Sequence, residues 1–153
     1  MEISLKDHII YIDKIDLDLF EEYHWIVHKQ KSNDIYLYKK KSPHYLHTYI
    51  AKRMGVVSES IDHIDGNGLN NCRANLRPAN HSLNAMNTKK RLGTTSKYKG
   101  VSKLSHGKWK AQIYLNQKAF YLGCFNTEEE AALAYNQKAI ILFGTYARLN
   151  NVK

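Results

Sequence analysis

The chain has 153 residues, 43% of them hydrophobic, and 23 lysines and arginines against 14 acids, for a formal charge of +9. That length suits one ordinary domain or two small ones with thin cores. The basic surplus points to a polyanionic partner without choosing between DNA, RNA and a membrane surface. The start, MEISLKDHIIYIDK, lacks the basic and then apolar run of a signal peptide or anchor, so a cytoplasmic protein with no membrane partner is expected. Cys72 and Cys124 stand far apart without a CxxC pair, which argues against a disulfide framework and against structural zinc.

Residues 1–57 nearly balance nine basic against eight acidic side chains and read as an α+β scaffold. His8 to Ile12 and Ile35 to Tyr38 have the apolar content of short strands, and Leu19 to Trp25 mixes apolar and acidic residues at helical spacing. After Ser42-Pro43, Leu46, Ile50 and Met54 fall on one helical face, and Gly55 is a helix stop. His47 lies near that face. A lone histidine there is more often a packing or phosphate-contact residue, so it stays outside the catalytic set.

The next segment, 58–91, holds SIDHIDGNGLNNCRANLRPANHSLNAMNT. Its asparagines and glycines can serve turns alone, and Asp65-Gly66-Asn67-Gly68 can be a tight turn. The order of elements says more. Ile61 to Ile64 reads as a strand, a Gly/Asn loop follows, and Asn80 can cap a helix on which Asn84 and Asn87 share a face. The Asp62 carboxylate and the Asn84 amide carbonyl are hard oxygen donors suited to one divalent cation, magnesium or manganese. His63 is the side chain here that takes a proton near neutral pH without strong perturbation, which makes it the natural general base. Adjacent residues on a regular strand point to opposite faces, so bringing Asp62 and His63 into one site requires a strand that twists or ends.

With Asp62-His63, Asn75 in ANLR and Asn84 in SLNAMN in this order, the segment resembles the HNH nucleases of the phage homing-endonuclease kind, whose ββα-metal (His-Me finger) motif is strand, strand, helix. The resemblance implies that His63 activates water, that Asp62 and Asn84 hold the metal, and that Asn75 braces the loop orienting His63. It also implies a phage-encoded DNA endonuclease acting in a bacterial host, with 5′-phosphate and 3′-hydroxyl products. No small-molecule cofactor is expected. A monomer with one such centre would nick one strand at a time.

The stretch TKKRLGTTSK is polar and basic without an apolar period, and 92–97 is the expected linker. In 98–153, KWKAQIYL alternates cleanly, placing Trp109, Ala111, Ile113 and Leu115 on one face. Lys99 to Leu104 and Lys118 to Phe125 flank it as further strands, with a turn at Asn116-Gln117. Thr127 and Glu130 form a capping box for a helix carrying Ala131, Tyr135, Ala139 and Leu142, stopped by Gly144. The expectation is a three-stranded antiparallel sheet packed on one helix, with a basic outer face.

YKGVSK, GKWKAQI, FYLGCF, TEEEAALAYNQKAIILFG and ARLN, in that order, resemble the plant APETALA/ethylene-response-factor DNA-binding domain over about a third of the chain. That resemblance implies double-stranded DNA as partner, with contacts from Lys99, Ser102, Lys103, His106, Lys108, Lys110, Gln112, Tyr114 and Tyr121. Lysine and serine stand at several positions where the plant pattern has arginine, so looser sequence reading is expected. Two other readings stand beside a DNA-nicking enzyme. One is a non-catalytic DNA-binding regulator with a relic nuclease motif; the other is an RNA-binding protein that stacks bases on Tyr114, Tyr121 and Phe120.

Overall fold

Short apolar and aromatic runs broken by turns produce several small antiparallel ladders here in place of one large sheet. The computed structural model describes residues 1–30, 34–40, 44–80, 86–88, 90 and 93–153. The chain divides into two compact units, Met1–His81 and Ser82–Lys153.

In the first unit, β1 (Glu2–Leu5) pairs with β2 (His8–Tyr11), and β3 (Trp25–Lys29) pairs with β4 (Ile35–Lys39). A third hairpin joins β5 (Ser60–His63) to β6 (Leu76–Ala79). Helix α1 (Leu17–Glu22) precedes β3, and α2 (Leu46–Arg53) follows β4. Leu46 and Ile50, one turn apart, are fully buried against Ile10, Ile12, Trp25 and Leu37, and Leu69 and Leu76 join the same core. Gly55, at φ 74°, follows the helix in the left-handed conformation that glycine adopts without strain. β1, β3 and β6 are strands that the patterning above does not mark.

A buried carboxylate fastens the long loop between β5 and β6 to this core. Asp16 is fully buried, and both of its oxygens accept from Arg73, through Nε and Nη2, at 2.7 Å each. Such a charge is tolerable inside a protein when it is paired and hydrogen-bonded in this way. The end of β2 supplies a second anchor: the Tyr11 amide donates to the Leu69 carbonyl at 2.9 Å, and the Asn71 amide donates to the Tyr11 carbonyl at 2.7 Å.

The second unit has a sheet in the order β7 (Val101–Lys103), β8 (Trp109–Leu115), β9 (Lys118–Phe125), covered by α3 (Glu128–Phe143). Asn116 and Gln117, at φ 49° and 64°, make the two-residue turn with both central residues left-handed that suits the strand twist. The Thr127 hydroxyl accepts from the Glu130 amide, and the Glu130 carboxylate accepts from the Thr127 amide, completing the capping box. Ala111 and Ile113 from the sheet and Ala131, Tyr135, Ala139 and Phe143 from α3 are buried. Leu142 is partly buried beside them. Ala111 pairs with Gly123 but Gln112 with Tyr121, so Leu122 is the extra residue of a bulge. Past it, Cys124 is exposed while Phe125 packs inward. With the four sheets of the described residues antiparallel and α3 on one face of its sheet, the described fold is of mixed α and β content, as an α+β class has. Among the described residues no helix is long and apolar enough to cross a membrane.

Candidate functional site

The loop from Ile64 to Asn75 is held by its own asparagines. The Asp65 Oδ1 accepts from the Asn67 amide at 2.8 Å, and Oδ2 accepts from Asn70 Nδ2 at 2.8 Å. Asn75 ties the two ends together: its Oδ1 accepts from the Asp65 amide at 3.1 Å, and its Nδ2 donates to Asp65 Oδ1 at 3.0 Å and to the Asn70 carbonyl at 2.8 Å. Burial works to raise the Asp65 pKa, but the donors from Asn67, Asn70 and Asn75 together outweigh it and hold the carboxyl below its ordinary value. The crowding of asparagines therefore has a mechanical explanation. Gly68 has one too, because a Cβ there would collide with the Ile35 carbonyl oxygen and stand 2.5 Å from the Tyr36 ring.

His63 is the last residue of β5, only 4% exposed, and opposite Leu76 on the inner face of the hairpin. Its Nε2 lies 3.5 Å from Oδ1 of the fully buried Asn71. The rings of His47 and Tyr36 stand 4.8 Å and 5.8 Å from it, the former nearly perpendicular at 80°. Burial holds the His63 imidazole below its ordinary pKa, against the opposing pull of the Asn71 contact and of the Asp65 and Asp62 charges. His47 is stacked on Tyr45 at 5.4 Å, and its buried Nδ1 has no hydrogen-bond partner. Burial first, and then His63, bring the His47 pKa down to about 3. Both rings are therefore neutral near pH 7.

Asp62 is paired with Arg77 across the hairpin. Arg77 donates to its Oδ2 through Nε at 2.9 Å and Nη2 at 2.6 Å. The structure thus brings His63 next to Asn71 and ties Asn75 to Asp65, while Asp62 is engaged by an arginine. Asn84 lies outside the described residues, and Asn87 is a buried turn residue of the second unit. Among the described residues, no group of three or more His, Cys, Asp and Glu side chains could hold a metal ion.

Sequence reasoning did not name Asn71, Tyr36 or Arg77. Asn71 had a signal in the NGLNN run; the other two meet the site only through folding.

On the second unit, the outer sheet face carries Ser102 and Lys110 in one cross-strand row, Gln112 opposite Tyr121, and Tyr114 opposite Ala119. Tyr114 and Tyr121 are 58% and 65% exposed, and Gln112 Nε2 donates to the Tyr114 hydroxyl at 3.4 Å. Lys103, His106 and Lys108 are exposed around the turn between β7 and β8. Lys99 sits apart from this face: its ammonium donates to the Met86 and Thr88 carbonyls at 2.8 Å each.

The chain is 40% identical over 92 residues, 60% of its length and 47% of the relative's, to an uncharacterized HNH endonuclease of Acanthamoeba polyphaga mimivirus. Its similarity to plant proteins covers less. It is 47% identical over 55 residues to the AP2/ERF and B3 domain-containing transcription repressor TEM1 of Arabidopsis thaliana, which is 36% of this chain and 15% of that protein. With the ethylene-responsive transcription factor ERF070 of the same plant, identity is 44% over 64 residues, 37% of this chain and 40% of the relative. The chain thus spans about half the length of the viral relative and less of these plant ones. No protein-family model matches the sequence. No solved structure matches it either.

Proposed function

We propose that this chain is a metal-dependent DNA endonuclease of the HNH type, whose first unit cuts and whose second unit holds the duplex. The observation that carries the reading is His63: a neutral, buried imidazole beside Asn71, next in sequence to a carboxylate, in a chain related to a viral protein named an HNH endonuclease. The β5–β6 hairpin supports a ββα-metal arrangement; the helix expected to complete it, with Asn84, lies outside the described residues.

The Asn71 Oδ1 only accepts, so a bond to His63 requires the proton on Nε2 and leaves Nδ1 as the basic nitrogen. A neutral imidazole can take the proton of an attacking water, and the lowered pKa keeps it in that form. Asp62 offers the hard, anionic oxygen that magnesium or manganese prefers, a fit that needs few protein ligands because water and phosphate complete the shell. Arg77 would share that carboxylate and steady its orientation. A bound divalent ion would stabilise charge on the leaving 3′ oxygen. Asn75, through Asp65 and Asn70, keeps the loop carrying Asn71 in place.

On the second unit, the lysines, amide and tyrosines of the outer sheet face suit phosphates and base edges of a major groove, as the plant relatives' domain names also support. One centre acting as a monomer nicks. The Asp62–Arg77 ion pair favours one rival, a DNA-binding regulator in which that carboxylate is purely structural.

The test is supercoiled plasmid incubated with magnesium or manganese and either wild type or His63→Ala. Relaxed circles from wild type alone, with duplex binding retained by both, are expected. Cleavage by the variant at the wild-type rate would remove His63 from the mechanism. Binding without cleavage by wild type in either metal would favour the regulator.

A further inference from the structure

Beside the start of β7, the second unit has a cleft of about 720 Å³ walled by Lys90, Lys97, Lys99, Arg148, Lys153 and Asn150. No acidic side chain is among its described lining residues. We propose that this cleft is a second DNA site, binding the sugar-phosphate backbone flanking the stretch that the outer sheet face reads. The inference rests on the reading that the second unit binds duplex DNA.

The walls are built rather than loose. Asn150 clamps the turn just ahead of β7: its Oδ1 accepts from the Lys99 amide at 2.7 Å and its Nδ2 donates to the Lys99 carbonyl at 3.0 Å. Asn136 on α3 holds Asn150 in turn, accepting its amide proton at 2.7 Å and donating to its carbonyl at 2.9 Å. Val152 packs against the buried cluster around Tyr98 and Ala131. The basic segment 148–153 is thereby fixed against residues 97–99, so little ordering cost remains when a ligand arrives.

Within this frame the cations crowd one another. Lys97 has a partner, Glu129, at 3.1 Å, and Lys99 spends two donors on carbonyls. Burial, and then the charge of Arg148, bring the Lys99 ammonium down to about 8. Like charges gathered around one depression repel, and an anion seated among them reverses the sign of that interaction. Arg148 carries five N–H donors in a planar fork and Lys153 three on an ammonium, the donor chemistry that phosphate oxygens accept.

Position selects the source of the phosphate. Lys99 is two residues from Val101, a span of at most about 7 Å, so the cleft adjoins the edge strand of the sheet. A sheet lying in a major groove has the groove's phosphate walls along its edges.

The experiment uses the full chain in chelator, which prevents cutting, and follows fluorescence anisotropy of a short duplex across a salt series. Arg148→Gln with Lys153→Gln is expected to flatten the slope of log affinity against log salt by about two. Affinity at moderate salt should fall about tenfold, with sequence preference unchanged. Arg148→Lys with Lys153→Arg should keep the slope, and Gln112→Ala with Tyr121→Ala on the sheet face should change preference instead. A wild-type slope in the double glutamine variant would overturn the cleft while leaving the DNA-binding reading intact, and so would equal loss in the charge-preserving pair. Failure of wild type to bind duplex at all would overturn both.

Discussion

Replacing Asn75 by aspartate, the closest match in shape, should harm the first unit more than replacing it by alanine. Asn75→Ala deletes three hydrogen bonds, of 3.1, 3.0 and 2.8 Å. At about 0.5–1 kcal/mol each for partly exposed groups, the loss is roughly 1.5–3 kcal/mol. Asn75→Asp keeps the acceptor for the Asp65 amide but loses both donors, roughly 1–2 kcal/mol. It also sets a second carboxylate where Nδ2 now lies, 3.0 Å from Asp65 Oδ1. Two charges at that distance repel by about 1.4 kcal/mol in water and about 5 kcal/mol at an effective dielectric of 20. Asp65 is exposed, so screening favours the lower end, and the aspartate variant should lose roughly 2.5–4 kcal/mol in all.

The pH dependence has a definite sign. Asp65 would raise the new carboxyl's folded pKa above its unfolded value of about 3.9, so the penalty is full above the folded pKa and fades as pH falls through it. Once protonated, the group donates to Asp65 again. The aspartate variant should therefore be the less stable at about pH 7.5 and the more stable at about pH 4. Urea unfolding read from Trp25 fluorescence in a Trp109→Phe background measures both. An unchanged order at the two pH values, or aspartate matching alanine at pH 7.5, would refute the bracing geometry.

Gly68→Ala should cost about 3 kcal/mol, because the added methyl meets backbone at Ile35 and the Tyr36 ring at once; a loss under about 1 kcal/mol in the same melts would show that the loop yields. Thr127→Ala removes the hydroxyl half of the capping box and should destabilise the second unit by about 1 kcal/mol, measured by urea unfolding read from Trp109 in a Trp25→Phe background. His47→Phe keeps a ring beside His63 and Tyr45 while deleting the partnerless Nδ1, and should raise stability by about 1 kcal/mol. A clear loss of stability on that change would mean that the nitrogen is satisfied.

The second unit was largely legible in the chain. Alternation along β8, the turn at Asn116-Gln117 and the Thr127–Glu130 box are local signals, and the structure has each of them in place. The first unit was less so. β6 contains Pro78, which argues against a strand, yet a two-stranded ladder has only edges and tolerates it opposite Ile61. β3 opens on the continuous apolar run of Trp25, Ile26 and Val27, and the four residues of β1 are too few to show a period. Lys99 had been grouped with the outer sheet face, but a residue just ahead of a strand need not follow its alternation, and its ammonium turned to the Met86 and Thr88 carbonyls.

By itself, the sequence determined which residue types the candidate site holds, Asp62, His63 and Asn75, and the local elements that carry them, because turn chemistry, capping and periodicity act over a few neighbours. Tertiary structure alone decided what surrounds them. His63 meets Tyr36 and His47 through the packing of its hairpin against β4 and α2, Asn71 through the fold of the loop between β5 and β6, and Asp62 meets Arg77 through the pairing of those two strands. Burial keeps the His63 imidazole neutral, and burial is a property of the assembled core that no short window of sequence contains.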